Sequence, residues 1–141
     1  MDRALLDTDT LSEILKGKNF NVIRQANNYH QKFGQYTIST ITVLEVVKGF
    51  HKVQRESQIE QFLSILSDTE VLTLELKSAE LAGRMYADLE RTGQSIGRAD
   101  PMIAAIALEN GLVLVTGNLR HYERIKQLGY NLRLDNWKIE Y

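Results

Sequence analysis

Hydrophobic and polar positions along the chain alternate between two rhythms. Short runs that are apolar or β-branched occur at 4–6 (ALL), 36–39 (YTIS), 70–74 (EVLTL), 112–116 (LVLVT) and 130–134 (YNLRL), which predicts five strands. Between them the spacing becomes helical. Val43, Val46, Val47 and Phe50 recur at i, i+3, i+4, i+7, as do Ile59, Phe62, Leu63 and Leu66, and again Ala79, Ala82, Gly83 and Tyr86. Each set predicts an amphipathic helix with one buried stripe. Residues 101–109 (PMIAAIALE) leave almost no polar face, which predicts a helix buried on all sides. Strands alternating with such helices imply an α/β domain with a mostly parallel central sheet of about five strands, flanked by helices.

Composition narrows this picture. A chain of 141 residues with 43% hydrophobic content predicts one domain, 1–141, burying roughly two-thirds of its unfolded surface. There is no cysteine, so disulfides and thiolate-bound zinc are excluded. No basic segment precedes a long apolar stretch and no apolar run reaches the roughly 18 residues of a membrane span, so a soluble, cytoplasmic protein without membrane association is expected. The net charge of −1 gives no global case for nucleic-acid binding; any such binding requires a local patch.

In parallel sheets, ligands gather beyond the carboxyl ends of the strands, and several acids occupy such addresses. Asp7 and Asp9 follow the first strand, Glu45 lies one or two turns beyond the second, and Asp100 opens the buried helix. Thr116 and Asn118 follow the strand at 112–116. Structural readings compete for most of them. Asp100-Pro101 suits a helix N-cap, Thr42 to Glu45 fits a capping box, Glu45 could pair with Lys48, and Asp9 or Thr10 with Glu13 could open a helix. Asn118 after Gly117 is common turn chemistry. Asp7 fits no such reading, because it continues a strand facing the core. Three carboxylates in one crevice would repel by about 4 kcal/mol per pair at ~4 Å and an effective dielectric near 20, so a cation is required. With His30, His51 and His121 scattered, the oxygen-rich set favours Mg2+, with Mn2+ as a substitute, over zinc. On the helix carrying Glu45, Lys48 and Lys52 fall within about 60° of it, opposite the valine stripe. A phosphate backbone entering the site would meet these ammonium groups, with Arg55, Arg98, Arg120 and Arg124 extending the patch.

These residues resemble the PIN-domain ribonucleases, and within them the VapC toxins of bacterial toxin–antitoxin pairs. The likeness rests on LLDTD at 5–9, TVLEVVKG at 42–49, IGRADPMIAAIA at 96–107, GLVLVTGNLRHYERI at 111–125 and LRLDNW at 132–137, in order over nearly the whole chain. It implies a PIN-like fold with an acidic pocket at the strand ends and metal-dependent endonucleolytic cleavage of an RNA substrate. It also implies silencing by a VapB-type antitoxin protein whose C-terminal segment reaches the pocket, and a homodimer. Carried over by position, Asp7, Glu45 and Asp100 match the catalytic and metal-binding triad, with Glu45 ligating directly or through water. Asp9, Thr116 and Asn118 would support the ligands from behind, while Lys48, Lys52, Arg98 and Arg120 would contact RNA. The fourth acid often found near 116 is replaced by Thr116, Gly117 and Asn118.

Other classes fit less well. LLDTDTL resembles the D-x-D-x-T start of haloacid-dehalogenase-like phosphatases, but Leu11 stands where threonine is needed. A receiver domain needs an aspartate ending a central strand, where Thr40 and Gly117 stand instead. The remaining alternative is a catalytically weak PIN-like module that binds RNA or protein.

Overall fold

A computed structural model describes residues 1–94 and 98–139. Ile96 and Gly97 of the motif at 96–107 lie outside the described residues. The order is β1 (Ala4–Leu6), α1 (Thr8–Lys16), α2 (Phe20–Phe33), β2 (Thr37–Ser39), α3 (Thr40–Lys52), α4 (Glu56–Ile65), β3 (Glu70–Leu72), α5 (Leu76–Arg91), α6 (Asp100–Glu109), β4 (Val113–Val115), α7 (Leu119–Gln127) and β5 (Leu134–Asp135). Every strand pairing is parallel, as the alternation of strands and helices demands.

The strands form two ladders, one in the order β1-β4-β5 and one pairing β2 with β3. β1 lies beside β2 but the two are not hydrogen-bonded as a ladder. The free edge of β1 is met instead by Tyr29 of α2, whose hydroxyl accepts from the Ala4 amide at 3.0 Å and contacts its carbonyl at 3.3 Å. A buried side chain thus satisfies backbone groups that a neighbouring strand would otherwise take.

The strand period sorts the core into two layers. Leu5 and Leu114 point to a cluster built with α5, α6 and α7, whereas Ala4, Leu6 and Val115 point to one built with α1, α2, α3 and α4. Helix α6 behaves as its composition predicts: Ile103 to Ala107 are all buried.

Two predicted elements are displaced. The buried stripe of α5 is Ser78, Ala82, Met85 and Leu89, while Ala79 and Gly83 face solvent. The long side chains Met85 and Leu89 turn that helix toward α6, because they remove more apolar surface from water than Ala79 and Gly83 could. The last strand begins at Leu134, not at 130. Gly129 ends α7 with φ +104, and the Leu132 amide then bonds the Tyr130 carbonyl at 2.8 Å. That tight turn buries Leu132 without pairing it. Among the described residues no helix is long and apolar enough to cross a membrane.

Candidate active site

β1 and β4 run side by side and deliver their carboxyl ends to the same place. The ladder extends one residue past β1, with the Asp7 amide donating to the Val115 carbonyl at 2.9 Å. Asp7 is 4% exposed. Its carboxylate accepts from the Thr8 amide at 2.9 Å and from the Thr116 hydroxyl at 2.8 Å. Asp7 is therefore itself the N-cap of α1, which the readings placing that cap at Asp9 or Thr10 did not anticipate. Two hydrogen bonds do not offset its surroundings. Burial, then the Asp9 charge and more weakly that of Asp100, push its carboxyl up to about 7.

Asp9 sits in the first turn of α1 and accepts from the Gly117 amide at 2.8 Å. A Cβ at 117 would stand 2.5 Å from its Oδ2, so this approach requires glycine. Thr116 is fully buried; besides Asp7 it serves the Asn118 amide, whose nitrogen donates to the threonine hydroxyl at 2.9 Å. Asn118 is exposed and only its amide takes part in this network.

Asp100 is the first residue of α6, with Pro101 following, but it is not the cap: Ala99 occupies that position and, among the described residues, no side chain closes that end. The carboxylate instead faces α7. His121 Nδ1 lies 3.1 Å from Oδ2, and the Tyr122 hydroxyl lies 3.3 Å from Oδ1. Burial, then the charges of Asp7 and Asp100, drives the Tyr122 phenol well above its ordinary range. Asp7 and Asp100, 93 residues apart in sequence, thus lie close enough for both charges to act on the same phenol.

Glu45 lies on the adjoining side of the site. The capping box at 42–45 does not form, because Ser39 caps α3 by accepting from the Thr42 amide at 3.2 Å. Glu45 Oε1 accepts from the Thr8 hydroxyl at 2.6 Å, and that hydroxyl also approaches the Thr42 hydroxyl at 3.1 Å. Glu45 is half-buried and tied through the Thr8 hydroxyl to the residue next to Asp7. Among the described residues, no group of three or more His, Cys, Asp or Glu is gathered closely enough to hold an ion by protein ligands alone. Asp7 and Asp100, near enough for the Asp100 charge to raise the Asp7 carboxyl, offer hard oxygen donors at a place where negative charge is disfavoured. Such a pair suits a divalent ion whose remaining positions are filled by water and substrate oxygens.

Lys48, Lys52, Arg98 and Arg120 are all exposed, and none forms an ion pair among the described residues. Thr8, His121 and Tyr122 were not assigned to the site from sequence. The threonine between two acids in DTD was the one local hint; the α7 pair leaves none, since its contact with Asp100 spans 21 and 22 residues. Beside Glu45, a groove of about 880 Å³ runs between α1, α3 and α4 over Leu15, Val46, Phe50, Val53, Phe62 and Ile65.

Comparison with known proteins agrees with this geometry. The PIN domain family model matches residues 4–127. Ribonuclease VapC2 of Haemophilus influenzae is 33% identical over 97% of this chain and 99% of its own length. The tRNA(fMet)-specific endonuclease VapC of Shigella flexneri is 33% identical over the same shares. Among solved structures, DNA-bound VapBC from Salmonella typhimurium superposes with a TM-score of 0.79 and 34% identity, covering 97% of this chain and 99% of that one. Fold, strand-end acids and full-length similarity agree: the chain belongs to the PIN-domain family, in its VapC branch of metal-dependent ribonucleases.

Proposed function

We propose that the protein cleaves RNA endonucleolytically at a Mg2+ site, with Mn2+ able to substitute, as the toxin of a pair whose second member is a VapB-type antitoxin. The observation that carries the catalytic reading is the buried Asp7 carboxylate, held beside Asp9 and Asp100 in surroundings that favour its neutral form. A fold keeps such a group where a cation compensates it. Asp7 and Asp100 would hold the ion, and Glu45, fixed by Thr8, would orient the attacking water. Asp9 and Thr116 would support these ligands, Asp9 by holding the Gly117 amide and Thr116 by its bond to Asp7. The ion supplies a lowered pKa for water and polarises a phosphoryl oxygen. Attack of water oxygen on phosphorus, with rupture of the opposite P–O bond, would leave the departing oxygen to take a proton from solvent. Lys48 and Lys52, exposed beyond Glu45 on α3, would receive flanking phosphates, with Arg98 and Arg120 extending the contact.

The partner reading rests on a different surface. The groove over Leu15, Phe50 and Val53 is also lined by Thr8 and Glu45. An amphipathic antitoxin segment lying in it would cover apolar surface and arrive at the site. Similar solved structures are of VapBC from Salmonella typhimurium, Rickettsia felis and Haemophilus influenzae, which supports the same pairing.

The decisive experiment uses antitoxin-free protein, an RNA substrate and Mg2+ or Mn2+. Cleavage should appear with metal, vanish with chelator, and be lost in Asp100→Asn. A folded Asp100→Asn protein that cleaves RNA as fast as the parent excludes the assigned chemistry. Thr116 in place of a fourth acid favours the binding-module alternative. That alternative is correct if metal neither raises the thermal midpoint nor permits cleavage.

A further inference from the structure

Asp100 begins α6 with no bond to its own helix end, so nothing in α6 fixes the rotation of its carboxylate. Both of its oxygens are instead met from α7, Oδ2 by His121 Nδ1 at 3.1 Å and Oδ1 by the Tyr122 hydroxyl at 3.3 Å. Successive residues on a helix project about 100° apart, so the two groups approach from different directions and bracket the carboxylate. Against an ionised carboxylate both act as donors. Tyr122 is 0% exposed and packs in the α5–α6–α7 cluster, so its hydroxyl is placed by the core, whereas the His121 side chain is 36% exposed.

We propose that Tyr122 is a positioning residue, whose buried hydroxyl holds the Asp100 carboxylate where it can share one divalent cation with Asp7, while His121 fixes the rotation of that carboxylate. This rests on the metal-dependent reading above. Outer partners of metal ligands change affinity by about 10- to 100-fold when removed, and the same range applies here. A phenol buried only for packing would leave cation affinity unchanged when reduced to phenylalanine.

The test is direct Mn2+ binding to the intact protein, followed by the electron paramagnetic resonance signal of free Mn2+. Tyr122→Phe should raise the Mn2+ Kd by about 10- to 100-fold and lower kcat for RNA cleavage, with KM for RNA little changed. An Mn2+ Kd within twofold of the parent overturns the proposal, whatever happens to the thermal midpoint. Should Tyr122→Phe fail to fold, the half-buried His121 decides. His121→Ala should weaken Mn2+ binding and His121→Asn, which keeps a donor near Nδ1, should restore it; equal affinity in all three overturns the bracket. Parent protein that binds no Mn2+ refutes the metal-dependent reading itself, whereas a binding parent with an equally binding Tyr122→Phe refutes only the role of Tyr122.

Discussion

Asp7 and Asp100 stand on walls formed by β1, β4, α6 and α7, each accepting two hydrogen bonds, whereas Glu45 on α3 accepts one, from Thr8, and has solvent on its other side. On the first wall Asp7 is buried and only 16% of the Asp100 side chain is exposed, with Tyr122 behind it fixed by the core. The second is half-open, and its charged neighbours Lys48 and Lys52 extend into water. The difference matches two tasks. Holding a small cation requires oxygens at set distances, while admitting a polyanion requires side chains that adjust. Substitutions equivalent in chemistry should therefore have unequal effects on the two walls.

The largest contrast is between Asp100→Asn and Glu45→Gln. Loss of a carboxylate from the closed wall should lower cleavage by about 10³-fold, on the scale of removing a preorganised electrostatic group. Glu45→Gln keeps an acceptor for Thr8 and should cost about tenfold, the range of a supporting partner. Single-turnover cleavage of one RNA by both variants checks this, and equal losses would erase the distinction between the walls.

Stability against pH gives the next effect. With its folded-state value raised from 3.8 to about 7, Asp7 holds a proton in the native protein that the unfolded chain has already released. The native state therefore binds more protons between those values, and metal-free stability falls as pH rises through this window, then levels above it. From pH 5 to pH 7 the loss is on the order of 2 kcal/mol. Thermal unfolding in chelator should show the fall in the parent and a flatter profile in Asp7→Asn. An Asp7→Asn profile as steep as the parent's would assign the pH dependence to other groups.

Glycines report on the same contrast by packing alone. Gly117→Ala places a Cβ 2.5 Å from Asp9 Oδ2 and should cost about 1–3 kcal/mol as the loop or carboxylate shifts. Gly49, in the middle of α3 on the groove side, has nothing within 4 Å of its Cβ position. Gly49→Ala should stabilise by about 0.5–1 kcal/mol through helix propensity. Denaturant midpoints of the two variants, moving in opposite directions, would place both effects.

The closed wall was also the harder one to read. Apolar runs at 4–6 and 112–116 and the all-apolar helix at 101–109 located β1, β4 and α6, since burial dictates those patterns locally. They also placed Asp7 and Asp100 at element ends. What they could not supply was the donor to each acid. Thr116 reaches Asp7 across 109 residues, and Tyr122 reaches Asp100 across 22. Local composition says which face of α7 is buried but not which carboxylate meets its phenol. The same gap explains the capping assignments: Thr42 with Glu45 has the spacing of a capping box, yet Ser39 begins α3 three residues earlier and frees Glu45 for Thr8. For α5, alanine and glycine at helical spacing resembled a stripe, but Met85 and Leu89 had more apolar surface to bury.

The smallest predicted effect belongs to the open wall, where α3 carries Lys48 and Lys52 on the side of Glu45. Both are exposed and unpaired among the described residues, so each is free to release one condensed counterion when it meets a phosphate. For single-stranded RNA each such contact contributes about 0.7 to the slope of log affinity against log salt. Lys48→Gln with Lys52→Gln should thus reduce the slope by about 1.4 while leaving kcat at saturating RNA near the parent value. The thermal midpoint should hardly move, because exposed lysines without partners contribute little to stability. Affinities measured with catalytically silent Asp100→Asn protein at several salt concentrations would isolate the term. An unchanged slope would remove α3 from the RNA path and leave the exposed Arg98 and Arg120 to direct the strand toward the closed wall instead.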